Sequence, residues 1–164
     1  MPKVSASAKV PAAAEDVFSF IADYRNIPRL QPEFATAKVV SEQQMGAGAI
    51  VELQGRFHGV PMRAHNRIVT FTPPRRLVSI SEGAVLSRNT WELHPLTGET
   101  PGTLVTFSVE YKVGGPLGGI FTGVASSLFH KEIQAMTDGS LRRLQEIFSS
   151  ESAESEGRES QAKS

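Results

Sequence analysis

The chain has 164 residues, 17 Lys+Arg against 17 Asp+Glu, and no cysteine. That length suits one domain with room for a core or a core plus a cavity. The neutral balance excludes basic steering to nucleic acid, and the missing thiols exclude disulfides, thiolate catalysis and Cys-based metal sites. Met1 to Ser5 leads into no apolar run, and no stretch approaches the ~20 apolar residues that span a bilayer. The sequence therefore predicts no integral membrane segment and a cytoplasmic location.

In chain order, Lys3 to Val10 alternates, with Val4, Ala6, Ala8 and Val10 on one face and Ser5, Ser7 and Lys9 on the other, as in a strand. Pro11 suits the first turn of a helix, and Glu15 and Asp16 suit its positive end. Val17, Phe20 and Ile21 give that helix a buried stripe. Pro28 and Pro32 limit any second helix to a short one ending before Pro32. From Phe34 the period becomes two, which predicts strands at about 34–42, 48–57, 61–72, 76–83, 85–94 and 103–113. His58-Gly59 is a two-residue hairpin signal, and Pro73-Pro74 forces a turn. Short connections throughout make the sheet an antiparallel meander. Gly114 to Phe148 reads as a long C-terminal helix entered through glycines. Ser149 to Ser164, rich in Ser and Glu, has little to bury and reads as a disordered tail after a single domain at 1–148.

Charged positions fix which way each strand faces. Glu52, Gln54 and Arg56 point out and leave Val51, Leu53 and Phe57 inward. Arg63, His65 and Arg67 leave Met62, Ala64, Asn66 and Ile68 inward. Arg88, Glu92 and His94 leave Asn89, Trp91 and Leu93 inward, and Ser108, Glu110 and Lys112 leave Val105, Phe107, Val109 and Tyr111 inward. The inner face is then aromatic and aliphatic, with Asn66, Asn89 and Tyr111 as polar marks. Either a solid core or a small-molecule pocket accounts for that composition.

The order of elements and several phrases resemble a known family. They are Val10 to Phe18 (Val-Pro-Ala-Ala-Ala-Glu-Asp-Val-Phe), Ala22 to Pro28 (Ala-Asp-Tyr-Arg-Asn-Ile-Pro), Phe71 to Leu77, Gly102 to Phe107, and the Gly-Gly-Pro-Leu-Gly-Gly lead-in to the last helix. Over about residues 3–148 the chain resembles the START/Bet v 1-like (SRPBCC) superfamily in its bacterial polyketide cyclase/dehydrase branch. The resemblance implies a helix-grip fold and a hydrophobic cavity between sheet and long helix. Such cavities hold lipids, sterols, polyketides or quinones; some members catalyse cyclisation or dehydration and many only bind. No family catalytic motif is present to carry over, so the catalytic residues are unknown.

Nucleotide, zinc-protease and nucleophile-elbow motifs are absent. His58 falls at a hairpin tip, His65 and His94 face outward, and His130 faces either way on the last helix; together they suggest no metal site. The inward set holds no carboxylate, Lys or His, so Tyr111 is its one plausible acid, with Asn66 or Asn89 able to polarise a carbonyl. The fold class expected is α+β: a curved antiparallel sheet around a long C-terminal helix, with two short helices after the first strand. The function expected is binding of a hydrophobic small molecule (lipid, polyketide, quinone or similar), with no cofactor and no nucleic-acid partner. The candidate ligand-binding residues are Phe57, Met62, Asn66, Asn89, Trp91, Phe107, Tyr111, Phe121 and Met136. The alternatives are a polyketide aromatase/cyclase or dehydrase in the same pocket, and an interaction module whose apolar face at 117–128 docks a partner or forms a homodimer.

The last helix carries a conflict. From Pro116 to Phe148 an unbroken helix runs roughly 50 Å, longer than a ten-residue strand of ~33 Å. Phe129, Ile133, Met136, Ser140, Leu144 and Ile147 share one face, whereas the stripe Leu117, Phe121, Val124 and Leu128 lies about a third of a turn away. Either the helix breaks near Gly123–Ser127, making a separate glycine-rich lid, or it is continuous and exposes that stripe.

Overall fold

In a computed structural model of the chain, the described residues are 1–83, 85–113 and 124–162. The order is β1 (Lys3–Val10), α1 (Ala14–Ala22), a 3₁₀ turn (Tyr24–Asn26), α2 (Ile27–Leu30), β2 (Phe34–Val39), β3 (Ile50–Phe57), β4 (Val60–Thr72), β5 (Arg76–Glu82), β6 (Val85–Pro95), β7 (Thr103–Val113) and α3 (Val124–Ala162). The strands form one antiparallel sheet in the order β1-β7-β6-β5-β4-β3-β2. This is the helix-grip arrangement: a curved sheet, a long C-terminal helix and short helices after the first strand.

β1 adds to β7 because its small outer residues fit the partner row. Ser5 Oγ lies 3.1 Å from Ser108 Oγ, and Ser7 Oγ 2.8 Å from Thr106 Oγ1. Its inner residues Val4 and Val10 are buried. Pro11 does not enter α1. The chain turns there, Ala12 N donating to Val10 O at 2.9 Å, and Ala13 is the N-cap. α1 buries Ala14, Val17, Phe18 and Ile21, while Phe20 is half-buried, edge-on to Phe148. Asp23 caps the 3₁₀ turn by accepting from Arg25 N at 3.0 Å. α2, with Pro28 in its first turn, ends at Leu30, before Pro32.

Two backbone features shape the far arm of the sheet. His58 and Gly59 have φ of 50° and 78°, the left-handed pair that a tight hairpin needs. At Gly55 a Cβ would stand 1.8 Å from Glu33 O, so only glycine lets β3 pass the loop leading into β2.

α3 lies against β1, β7 and α2. Gln145 Nε2 donates to Lys9 O at 2.9 Å and Arg143 Nη1 to Leu30 O at 3.0 Å. Its buried line is Thr137, Ser140, Leu141, Leu144 and Phe148, rotated slightly from the face expected. Thr137 and Ser140 are tolerated there because their hydroxyls donate to Ile133 O at 2.8 Å and Met136 O at 2.9 Å. The core joins these residues to α1, β1, β6 and β7.

Two expectations about α3 need revision. The helix is uninterrupted from Val124 through Ser127, so no break falls there; residues 114–123, with the proposed lid and Phe121, lie outside the described residues. Of the stripe 117–128, the side chain described is Leu128, 56% exposed. The tail expected to be disordered continues as helix to Ala162. No proline stops it, and extending a formed helix avoids the cost of nucleation.

Candidate ligand cavity

A cavity of about 740 Å³ opens between the inner face of the sheet and the N-terminal half of α3. The same alternation that builds the core builds this space. Val51, Leu53 and Phe57 of β3 and Met62, Ala64, Asn66 and Ile68 of β4 present their inward faces to it. Ile21, Ile27 and Leu30 of α1 and α2 close one end, and Phe129, Ile133 and Met136 of α3 form the roof. Those three helix residues are half-buried because they face the cavity; Leu141 and Leu144, further along, are packed.

The residues singled out from the sequence come together here. Phe57, Met62, Asn66 and Asn89 line the cavity, as do Trp91, Phe107, Tyr111 and Met136. Phe121 lies outside the described residues. The inner face is both a core and a pocket: Trp91 and Phe107 stack at 3.9 Å and 8° and present one side to the space, while Met62, Asn66 and Asn89 face it half-buried.

Strand register sets the polar groups in rows. Asn66 pairs with Ser81, Ser81 with Ser87, and Ser87 with Tyr111; the next row is Ile68, Ser79, Asn89 and Val109. Ser87 Oγ donates to Asn89 Oδ1 at 3.3 Å. Asn66 Oδ1 is buried with no hydrogen-bond partner among the described residues. Tyr111 Oη lies 2.8 Å from His130 Nδ1. Burial pushes the Tyr111 phenol above its ordinary value of 10.0.

Three groups at this site are not legible as such in the sequence. His130 supports Tyr111 from α3, and the one sequence signal is its place beside inward-facing Phe129. His58 is 69% exposed, as expected of a surface residue, yet its Nε2 sits 2.6 Å from Glu132 Oε1, tying the β3–β4 hairpin to α3. Both line the cavity, with Arg63 beside the same hairpin. Glu132 and His58 therefore correct the expectation of a lining without carboxylates or histidines. Nothing in the sequence pairs positions 74 residues apart. His65 pairs instead with Glu52 at 3.2 Å on the outer face, and His94 is exposed. Among the described residues no group of three or more His, Asp or Glu is placed to hold a metal ion, and no helix is long and apolar enough to cross a membrane.

Residues 1–146 match the family model for polyketide cyclase / dehydrase and lipid transport. The chain belongs to that family. Its fold is shared with solved structures of low identity. The Zhui aromatase/cyclase from Streptomyces sp. R1128 superposes with a TM-score of 0.69 at 16% identity, over 90% of this chain and 93% of that one. A protein of Thermus thermophilus gives 0.66 at 23%, over 87% and 97%. Ara h 8.0201 gives 0.68 at 13%, over 91% and 98%. Among individually curated proteins none matches the chain in sequence. The family and these folds bear out the resemblance to the START/Bet v 1-like superfamily.

Proposed function

We propose that this polyketide cyclase-family protein binds a hydrophobic small molecule in the cavity between its sheet and α3. The observation that carries the reading is the cavity itself. At about 740 Å³ it lies within the ~300–1,000 Å³ of small-molecule sites, and its walls are mostly apolar with a few directional polar groups. Phe57, Met62, Trp91, Phe107 and Met136 bury ligand surface, and Asn66, Asn89 and Tyr111 meet its polar atoms. Native mass spectrometry of the gently purified protein should show a co-purified hydrophobic adduct. An empty protein that also takes up none of a panel of neutral lipids and aromatic polycycles would sink the reading.

A second reading, an aromatase/cyclase or dehydrase in the same pocket, is favoured by one contact. With its proton on Nδ1, His130 donates to the Tyr111 oxygen and frees the phenolic O–H to point at a ligand carbonyl. This reading requires turnover of a poly-β-ketone substrate that falls on Tyr111→Phe while binding of the substrate persists.

A further inference from the structure

The floor of the cavity is banded. The Asn66–Ser81–Ser87–Tyr111 row runs across four strands, and beside it the Ser79–Asn89 pair adds polar groups on β5 and β6. Successive inward residues on a strand are two positions apart, so the two rows span roughly 7 Å along the strands. On the hairpin side of the band lie Met62, Ala64 and Val85; on the other side lie Leu77, Trp91 and Phe107. The polar groups therefore cross the middle of the floor, with hydrocarbon on both sides.

The band carries no net charge. Its one titratable side chain, Tyr111, is a phenol that is neutral at physiological pH, and burial only raises its value further. The cavity's basic lining residues, Arg63 and His58, stand at the hairpin end, where Glu132 faces His58. His130 meets the band only at the Tyr111 hydroxyl, where its Nδ1 is already engaged. A carboxylate at the Asn66 side of the band would be desolvated without a cation, a cost far above that of a neutral group. A plain hydrocarbon fares poorly for the opposite reason: laid across the band, it gives the buried Asn66 Oδ1 no hydrogen-bond donor, and none of the described residues supplies one.

We infer that the band selects an uncharged ligand with a hydroxyl, flanked by apolar parts, that can donate to Asn66 Oδ1, and that Asn66 is its principal specificity residue. Terminal carboxylates, as in free fatty acids, are rejected. This rests on the reading of the cavity as a binding site, and the test separates the two.

The probes are pyrene, hydroxypyrene and pyrene carboxylate, titrated by fluorescence into the full chain and its Asn66→Leu variant. Hydroxypyrene should bind the unmodified protein at least about tenfold more tightly than pyrene carboxylate. Asn66→Leu should weaken hydroxypyrene about tenfold and leave pyrene unchanged. The variant should fold at least as well as the parent, because it removes a buried atom that has no partner among the described residues. Should it not fold, Asn66→Ala, which removes the same acceptor, is read by the same comparison. Carboxylate binding as tight as hydroxypyrene, or equal losses for pyrene and hydroxypyrene in the variant, overturns the inference while leaving the cavity a binding site. Failure of all three probes to bind the unmodified protein removes the binding reading and the inference with it.

Discussion

β7 and β4 obey the same alternation and end differently. Along β7, Thr103, Val105, Phe107, Val109 and Tyr111 are all buried. Along β4, thirteen residues long, no position is buried, and its inward residues Met62, Ala64, Asn66 and Ile68 are half-exposed. The two strands lie in one sheet, separated by β6 and β5. β7 is packed under α3 and the core and meets the void with Phe107, Val109 and Tyr111, whereas β4 faces the void with every inward residue from Met62 to Ile68. Period-two patterning records which way a side chain points. It does not record whether anything stands opposite.

The packed side gives the largest expected effect. Leu144 has 0% of its surface exposed and sits in the core cluster. Leu144→Ala should cost about 2–5 kcal/mol, as for other buried leucines cut to alanine, read as a fall in the urea midpoint. A loss well below about 1 kcal/mol would mean this part of α3 is loosely seated and that the contrast between the two halves is false.

The direction of nearly every inward residue is legible because charged neighbours on the same strand fix the phase. The strands fall within a few residues of their expected limits, and Phe57, Met62, Asn66 and Asn89 reach one cavity. What is not legible depends on distance in the chain. The Tyr111–His130 and His58–Glu132 contacts depend on how α3 is seated on the sheet, which no local pattern encodes. The buried line of α3 departs from the expected face by a fraction of a turn because Thr137 and Leu141 fall outside the stripe read from the sequence, and Thr137 is buried only by satisfying its hydroxyl within the helix. The tail departs from expectation because composition speaks to packing, whereas α3 continues beyond Phe148 by backbone hydrogen bonds.

The hollow side predicts the opposite response to added volume. Ala64 faces the cavity from β4. Ala64→Leu should raise stability by about 0.5–2 kcal/mol or leave it unchanged, the usual result of filling a void. It should also weaken every pyrene probe together, since it takes space without touching the polar band. Selective loss of hydroxypyrene alone would move the specificity from the band to the hairpin end of the cavity.

Tyr111 belongs to both regions: it is 4% exposed and part of the core cluster, yet it lines the cavity and meets His130. The smallest effect expected is its pH dependence. Burial raises the phenol above 10.0 in the folded chain. The native state then holds a proton that the unfolded state releases first, so stability tied to that proton is whole below the ordinary tyrosine value and is lost as pH rises through the raised native value. Denaturant midpoints taken from neutral pH to about 11 should fall at the alkaline end, and Tyr111→Phe should flatten that fall. The same variant should cost no more than about 0.5–1.5 kcal/mol at neutral pH, because it removes one hydrogen bond and leaves the ring against Phe129. An alkaline limb identical in the two proteins would place the phenol in water, and the polar band would then open to solvent at its β7 end instead of closing against α3.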